Sequence, residues 1–223
     1  MMHRVNLIDS HCHLIFENFK DDIDEVANRW RNIGVTKLLH ACVDLTDIPK
    51  IREIANTFSE IYYSVGLHPL DANKWDTNSK EILREAILKD KRVVAIGELG
   101  LDLFKNNNLE TQKKALLPQL ELAIECDLPV IIHCRNAANE LIDLCKNLAK
   151  VNKCPKGVLH CWSGTPEEMK EFLELGFFIS FSGIVTFPKA INTHDCAKLV
   201  PNNRFLIETD APFLAPVPYR GKR

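Results

Sequence analysis

Near its amino terminus the chain reads Leu7-Ile8-Asp9-Ser10-His11-Cys12-His13, a short apolar run that ends in two histidines separated by one residue. Successive side chains of a β-strand point to opposite faces, so His11 and His13 project from the same face. We interpret the run as a buried strand that offers two imidazoles to a metal ion at its carboxyl end.

Four later runs share this pattern, in which a short apolar segment leads to a residue that can bind a metal ion. They are Ala95-Ile96-Gly97-Glu98, Pro129-Val130-Ile131-Ile132-His133, Val158-Leu159-His160 and Phe205-Leu206-Ile207-Glu208-Thr209-Asp210. One strand-and-helix unit takes roughly 25–35 residues, so the spacing makes the five runs strands 1, 4, 5, 6 and 8. We expect strands 2, 3 and 7 at 35–39, 61–66 and 176–180.

Amphipathic helical patterns fill the intervals between these strands. The predicted helices cover residues 21–30, 47–58, 79–88, 109–125, 138–148, 166–175 and 189–199. Alternating strands and helices indicate an α/β fold with a parallel sheet, and eight strands indicate a closed TIM (β/α)8 barrel. Such barrels build their sites at the carboxyl ends of the strands, which is where the metal-binding candidates fall.

The chain has 223 residues and no Gly/Ser-rich or Pro-rich linker, so we expect a single domain over residues 1–223. Its 28 basic and 30 acidic residues nearly balance, so a polyanionic substrate must be met by a local patch. No apolar segment precedes strand 1 as a signal peptide, and none approaches the roughly 20 residues of a membrane span. We therefore expect a cytoplasmic protein without a membrane partner, whose eight cysteines are free thiols.

The candidate metal ligands are His11, His13, Glu98, His133, His160 and Asp210. A catalytic ion commonly keeps about three protein ligands, so this set indicates two divalent ions that share a carboxylate. We expect Glu98 to bridge them, because strand 4 lies between strand 1 and strands 5 and 6. The predicted ligand sets are His11, His13, Glu98 and Asp210 for one ion, and Glu98, His133 and His160 for the other. Mixed imidazole and carboxylate ligation suits Zn, Mn, Fe or Co, and also Mg where water completes the coordination.

Asp210 and Glu98 are the candidate catalytic residues. Two ions would lower the pKa of a shared water, which Asp210 could hold and deprotonate while Glu98 bridges the ions. By strand alternation Asp9 and Glu208 fall on the same inward face. These two acids either orient the ligand imidazoles or form a salt-bridged barrel interior.

Three residues near the strand ends are candidate substrate contacts. His68 directly follows strand 3, and Arg135 and Trp162 each come two residues after a candidate ligand histidine. An arginine can clamp a phosphate, and an indole can stack on a base. We therefore expect Arg135 and Trp162 to lie just above the metal ions.

Six runs resemble motifs of a known family. They are Asp9-Ser10-His11-Cys12-His13-Leu14, Val65-Gly66-Leu67-His68-Pro69, Gly97-Glu98-Leu99-Gly100-Leu101-Asp102, Val130-Ile131-Ile132-His133-Cys134-Arg135, His160-Cys161-Trp162-Ser163-Gly164 and Glu208-Thr209-Asp210-Ala211-Pro212. In this order, over the whole chain, they resemble the TatD family of metal-dependent deoxyribonucleases. The resemblance implies a TIM-barrel hydrolase that acts on DNA phosphodiesters, with two divalent ions held by the six candidate ligands.

Two features depart from the family pattern. Asn136 follows Arg135 where the family usually has Asp, which removes a charge beside a substrate contact. Family members usually continue through Asn-Glu-Pro into a further helix, whereas this sequence stops at Arg223, so we expect a barrel without its final helix. Phe205 and Ile207 on the outside of strand 8 would then be uncovered, which favours self-association.

Three functions stay open. The leading one is a divalent-metal hydrolase that cleaves DNA phosphodiester bonds at single-stranded ends, because a barrel mouth admits a flexible strand more easily than a rigid duplex. The second is an amidohydrolase-like enzyme that cleaves a small ester, lactone or amide, and the third is an inactive metal-binding relative. Arg135, Trp162 and the basic residues at 220–223 favour nucleic acid over a neutral small molecule.

Overall fold

A computed structural model describes residues 6–222, in which eight parallel strands form one sheet in the order β1 to β8. The strands are β1 (Leu7–Cys12), β2 (Val35–His40), β3 (Ile61–Val65), β4 (Val93–Asp102), β5 (Val130–Arg135), β6 (Gly157–Leu159), β7 (Phe178–Phe181) and β8 (Phe205–Ile207). Each strand pairs with the next one in sequence, and the sheet curves into a nearly closed barrel. The predicted TIM-barrel fold is confirmed.

Seven α-helices of residues 6–222 connect successive strands. They are α1 (Ile23–Ile33), α2 (Ile48–Thr57), α3 (Ser79–Lys89), α4 (Leu109–Glu125), α5 (Ala138–Lys150), α6 (Pro166–Glu174) and α7 (Ile191–Leu199). Within residues 6–222, β8 is the last regular element, so no helix covers it from the carboxyl-terminal side. None of the helices in this range has the length and apolar character needed to cross a membrane.

Local sequence sets the ends of these helices. Thr165 and Glu168 form a reciprocal capping box at the start of α6, and Pro166 occupies its first turn, where a missing N–H costs nothing. Gly34 ends α1 with a φ of 94°, a left-handed conformation that glycine adopts without a steric penalty.

The main apolar core lies between the helices and the outside of the barrel. Helical residues such as Ile51, Leu83 and Phe172 are fully buried there. A second, smaller cluster of Ala95, Ile131, Val158 and the partly buried Leu39 lies apart from that core. Packing on both faces of the sheet holds the strands rigidly, so their carboxyl ends form a fixed platform for the loops.

The barrel is closed between β1 and β8 mainly at the carboxyl end. Among the strands of residues 6–222, no ladder joins β1 to β8, but the N–H of Asp210 donates to the carbonyl of His11 (2.9 Å). The N–H of His13 donates in turn to the carbonyl of Ala211 (2.7 Å). Along β8 itself, Phe205 and Ile207 are 39% and 50% exposed, as expected for an uncovered strand 8.

Candidate metal centre

The candidate ligands converge at the carboxyl ends of the strands. His11 lies on β1 with His13 just after it, Glu98 lies on β4, and His133 lies on β5. His160 directly follows β6, and Asp210 comes three residues after β8. Except for the fully buried His11, all of them line one cavity of about 720 Å³, together with His68 and Arg135.

A close approach between β4 and β5 brings Glu98 next to His133. A Cβ atom on Gly100 would lie 2.0 Å from the carbonyl oxygen of His133, so only glycine fits between these strands. The pairing register also shifts between Ile96 and Leu99, on either side of Glu98. Such irregularities re-aim a side chain near an active site.

Four donor atoms form a compact cluster on the β1 side of the centre: His11 Nε2, His13 Nε2, Glu98 Oε2 and Asp210 Oδ1. The two imidazole nitrogens are 3.1 Å apart, and each lies 3.3–3.7 Å from both carboxylate oxygens. Ligand atoms of a tetrahedral ion with bonds of about 2.0–2.1 Å are separated by roughly 3.3–3.4 Å. The distances of the two imidazole nitrogens from each other and from the two carboxylate oxygens are therefore close to those between ligands of one divalent ion.

Hydrogen bonding directs His13 into this cluster. Its Nδ1 lies 3.0 Å from the carbonyl oxygen of Ala41, which can only accept a hydrogen bond, so Nδ1 carries the proton. Nε2 then presents its lone pair to the other donor atoms, the arrangement that a metal-binding imidazole requires. The ring of His11 stacks on that of His160, with the centroids 4.0 Å apart.

A second group of donor atoms surrounds the other oxygen of the same carboxylate. Glu98 Oε1 lies 2.9 Å from His133 Nδ1 and 2.9 Å from His160 Nε2, and these two nitrogens are 3.4 Å apart. Oε2 of Glu98 thus faces the first group, and Oε1 faces the second. His160 is not confined to this group, since its ligand atom also falls in a candidate group with those of His11 and Asp210. The predicted division into two ligand sets therefore stays a prediction.

His68 also joins the second group, with its Nε2 3.3 Å from Glu98 Oε1. The backbone N–H of Leu70 donates to His68 Nδ1 (3.2 Å), so in the neutral ring Nε2 carries the proton. In that tautomer His68 acts as a hydrogen-bond donor toward the centre of the site, and its Nε2 has no lone pair for a metal ion.

Asp102 is a site residue that sequence reasoning did not single out. Its Oδ2 lies 3.1 Å from His133 Nε2, and its Oδ1 accepts the backbone N–H groups of Phe104 and Lys105. Burial works to raise the pKa of Asp102, but the hydrogen bond and charge of His133 together with the backbone hydrogen bonds of Lys105 and Phe104 outweigh it and lower that pKa to about 2. Its position four residues after Glu98 on the same strand face was the available clue.

His133 therefore has a carboxylate at each ring nitrogen. When the ring is protonated, it donates to both Glu98 and Asp102. When it is neutral and donates to Asp102, its Nδ1 lone pair faces Glu98 Oε1 at 2.9 Å, and two acceptors at that distance repel each other unless a cation lies beside them. Either a proton on His133 Nδ1 or a metal ion beside it would remove this repulsion.

Asp9 and Glu208 lie behind the ligands. Glu208 Oε1 lies 3.5 Å from His160 Nδ1 and accepts the backbone N–H of Cys161 (2.6 Å). Asp9 accepts two hydrogen bonds from Thr209, and burial raises the pKa of Asp9 to about 6 despite these bonds. Glu208 thus contacts the candidate ligand His160, and Asp9 holds Thr209, the neighbour of the candidate ligand Asp210. This arrangement agrees with the interpretation that the two acids orient the site residues.

The carboxylates of the centre stay ionised because imidazoles surround them. Burial works to raise the pKa of Glu98, but His160 and the other nearby histidines hold it well below its usual value. Burial also opposes ionisation of Asp210, but the hydrogen bond with His13 and the charges of the nearby histidines together outweigh that effect and lower the pKa. Conversely, Glu98 raises the pKa of His160 well above its usual value, against the effect of burial. The donor set is thus anionic and basic, as a divalent cation requires.

The expected position of Trp162 is wrong. Its side chain is 2% exposed, packs against Phe172, and donates from Nε1 to the Sγ of Cys196 (3.3 Å), so no indole face reaches the cavity. Strand β6 ends at Leu159, and Cys161 adopts a φ of +48°, so the alternation used to place Trp162 no longer applies. Arg135, in contrast, does line the cavity and stacks on Phe104 at 4.0 Å.

Two other expectations concern basic residues and cysteines. The guanidinium of Arg220 stacks on Phe187 at 4.4 Å, and Arg223 lies outside the described residues. All eight cysteines are free thiols, as predicted.

Comparison with known proteins identifies the relatives of this chain. Residues 8–223 match the family described as TatD related DNase. The uncharacterized metal-dependent hydrolase YabD of Bacillus subtilis is 36% identical over 218 residues, covering 97% of this chain and 84% of the relative. The 3'-5' ssDNA/RNA exonuclease TatD of Shigella flexneri is 34% identical over 212 residues, covering 94% of this chain and 80% of the relative.

Among solved structures, the crystal structure of YjjV from Escherichia coli K12, a TatD homolog, has the same fold. It superimposes with a TM-score of 0.89 at 32% sequence identity, covering 97% of this chain and 83% of that one.

Proposed function

Because the chain belongs to the TatD related DNase family, a family of metal-dependent hydrolases, we propose that it is a phosphodiesterase that trims single-stranded DNA ends. The observation that carries this proposal is the pair of donor groups that share the Glu98 carboxylate at the base of the cavity. Two neighbouring cation sites suit the displacement of an oxygen from phosphorus, where charge develops on both the attacking and the leaving oxygen.

In this proposal the site holds two divalent ions. His11, His13 and Asp210 would hold one, His133 and His160 would hold the other, and Glu98 would serve both. Imidazole and carboxylate donors suit Zn, Mn or a similar ion, and Mg with additional water. When bound, such ions supply a Lewis acid and lower the pKa of a bound water.

The residues of the chain have separate tasks in the reaction. Asp210 turns Oδ1 toward His11 and His13, which leaves its Oδ2 to orient the attacking water and take its proton. His68 donates from Nε2 toward a phosphate oxygen. Arg135 lines the cavity beside His133 and clamps the phosphate group.

Single-stranded DNA is the substrate that best fits the cavity. The ligand groups lie at the bottom of the barrel mouth, and Glu98 is only 3% exposed, so a rigid duplex cannot bring its backbone to them. A flexible end can enter the mouth. The name of the Shigella flexneri relative, a 3'-5' ssDNA/RNA exonuclease, supports the same substrate class and suggests attack from the 3' end.

A second candidate is hydrolysis of a small ester, lactone or amide by the same residues. The cavity volume of about 720 Å³ supports it, since it lies in the range of sites that enclose small ligands. The third possibility from the sequence, a metal-binding relative without turnover, would share the ligands and lack hydrolysis.

One experiment separates these candidates. The chain is reconstituted with Zn, Mn or Mg and tested on single-stranded oligonucleotides labelled at the 3' or the 5' end, on a blunt duplex, and on a panel of small esters and lactones. We expect stepwise loss of the 3' label from single strands, and almost none from the duplex. In Asp210→Asn hydrolysis should nearly vanish while oligonucleotide binding persists. Turnover of only the small esters, or of nothing, would reject the nuclease proposal.

A further inference from the structure

The cavity has two chemically different walls. On the β4 and β5 side, Lys105 and Arg135 are the cationic side chains that line it. On the β1 and β8 side, Phe16, Phe213 and Leu214 line it. The ligand groups lie between these walls, because His133 is near the cationic side and His13 is near the aromatic side.

The cationic wall is held in position but not neutralised. Arg135 stacks on Phe104, and its carbonyl accepts the N–H of Leu103 (2.9 Å). The N–H of Lys105 donates to Asp102, which in turn contacts His133. Within residues 6–222, neither Lys105 nor Arg135 forms an ion pair with an acidic side chain. Both charges are therefore available to an anionic strand.

The aromatic wall is attached to the other side of the centre. The ring of Phe213 lies 6.2 Å from that of His13 and 5.6 Å from that of Phe16, in edge-to-face arrangements. The N–H of Phe213 donates to the carbonyl of Asp210 (2.9 Å), which holds the backbone of Phe213 next to that candidate ligand. Phe213 is nevertheless 50% exposed, in a site whose floor is polar.

We infer that Phe213, backed by Phe16, is a base-stacking subsite for the nucleotide that carries the phosphate under attack. The strand then runs from Phe213 across the centre toward Arg135 and Lys105, which meet the next phosphates. This inference rests on the proposed nuclease function. An exposed aromatic ring in the same cavity as unpaired cationic side chains is the combination that binds single strands without base preference. Phe213 thus has the base-stacking role that the sequence analysis expected for Trp162.

The test removes the ring from the protein and the base from the DNA, separately and together. Wild type and Phe213→Leu are compared on a single-stranded heptathymidylate and on versions with an abasic residue at each of the three 3'-terminal positions. Phe213→Tyr keeps the ring and serves as the rescue variant. Phe178→Leu serves as the matched control, because Phe178 is partly exposed at the opposite, amino-terminal end of a strand.

Stacking of one base on an aromatic ring changes affinity by about 5- to 100-fold, so wild type should prefer the base-bearing substrate by a factor of that order at one position. Phe213→Leu should lose most of this preference, whereas Phe213→Tyr and Phe178→Leu should keep it. The inference is overturned if wild type shows no such preference, or if Phe213→Leu lowers kcat/KM equally on the base-bearing and abasic strands, because additive effects mean no contact between ring and base.

If the nuclease proposal itself is wrong, wild type will hydrolyse neither the base-bearing nor the abasic strand. The subsite is then judged by fluorescence anisotropy of the labelled heptathymidylate with metal-loaded protein. Weaker binding in Phe213→Leu than in Phe213→Tyr supports it. Equal binding by the two variants, or no binding by wild type, rejects it.

Discussion

Asp9 and Thr209, at opposite ends of the chain, are joined by two hydrogen bonds: the Thr209 N–H donates to Asp9 Oδ1 (3.0 Å) and its hydroxyl donates to Oδ2 (2.6 Å). This contact lies where the barrel closes between β1 and β8. Since Asp210 follows Thr209 directly, the contact also fixes a candidate ligand after the last strand beside His11 and His13 from the first.

Thr209→Val tests this relationship because it removes the hydroxyl and keeps the shape. We expect a loss of about 1–3 kcal/mol in the free energy of unfolding and roughly 10-fold weaker metal binding, measured by thermal melts and calorimetric titration. Thr46→Val is the matched control, since it removes a similar hydroxyl bond to Asp44 (2.8 Å) away from the site. Equal metal affinity in the two variants would show that the Thr209 hydroxyl does not position Asp210.

Glu98→Gln tests the shared carboxylate. Because each oxygen of Glu98 faces a different donor group, replacing the carboxylate should weaken both ions together, whereas His133→Ala should weaken mainly one. Elemental analysis after reconstitution should find about two ions per chain in wild type. Glu110→Gln, on the exposed start of α4, should bind metal like wild type. A wild type that saturates with a single ion would contradict the shared-ligand assignment.

Asp102→Asn tests the residue that holds His133. The amide keeps the size and the acceptor oxygen but removes the charge, so the His133 ring should lose its preferred tautomer. We expect metal affinity at the second donor group to fall about 10- to 100-fold, and stability to change much less. Asp21→Asn, which changes an exposed carboxylate before α1, is the control. Unchanged metal binding in Asp102→Asn would mean that His133 is oriented by Glu98 alone.

Protons should compete with metal ions at this site. Burial works to lower the pKa of His13, His133 and His160, but the neighbouring carboxylates outweigh it and raise all three above 6.5. At and somewhat above pH 6.5 these imidazoles hold protons in the metal-free protein and must release them to bind a metal ion.

Metal affinity should therefore fall as the pH is lowered through that range and rise as it is raised. Calorimetric titrations in buffers of different ionisation enthalpy should count the released protons, and Asp102→Asn should release fewer. An affinity that is constant from pH 6 to pH 8 would exclude the competition.

The uncovered face beside β8 should promote self-association. Ile8, Phe205 and Ile207 are 55%, 39% and 50% exposed, and apolar surface of this kind favours contact with another apolar surface. We expect the 223-residue chain to associate with increasing concentration in sedimentation experiments. Ile207→Lys should reduce this association, whereas Leu88→Lys, which changes an isolated exposed leucine on α3, should not. A wild type that sediments as a monomer at every concentration would reject the expectation.

Most of the barrel, and the convergence of the candidate ligands at one end of it, could be predicted from the sequence. Each ligand follows a short apolar run, and the runs recur at the spacing of strand-and-helix units, so parallel strands must bring His11, Glu98 and His133 to one end of the barrel. Alternation along a strand also separated the inward His13 from the neighbouring Cys12. These features depend on the two-residue alternation of side chains along a strand, which can be read directly from the sequence.

Other features were decided only by the tertiary structure. Trp162 and Phe213 lie beyond the last hydrogen-bonded residues of β6 and β8, where the turns no longer keep the alternation of a strand. The Trp162 ring is buried in the core, whereas the Phe213 ring lines the cavity. Asp102 acquired its role only because β4 and β5 approach closely at Gly100 and bring His133 within hydrogen-bonding distance. Strand periodicity is local, so a sequence states which residues share a face, whereas contacts between loops and between neighbouring strands depend on how the whole barrel closes.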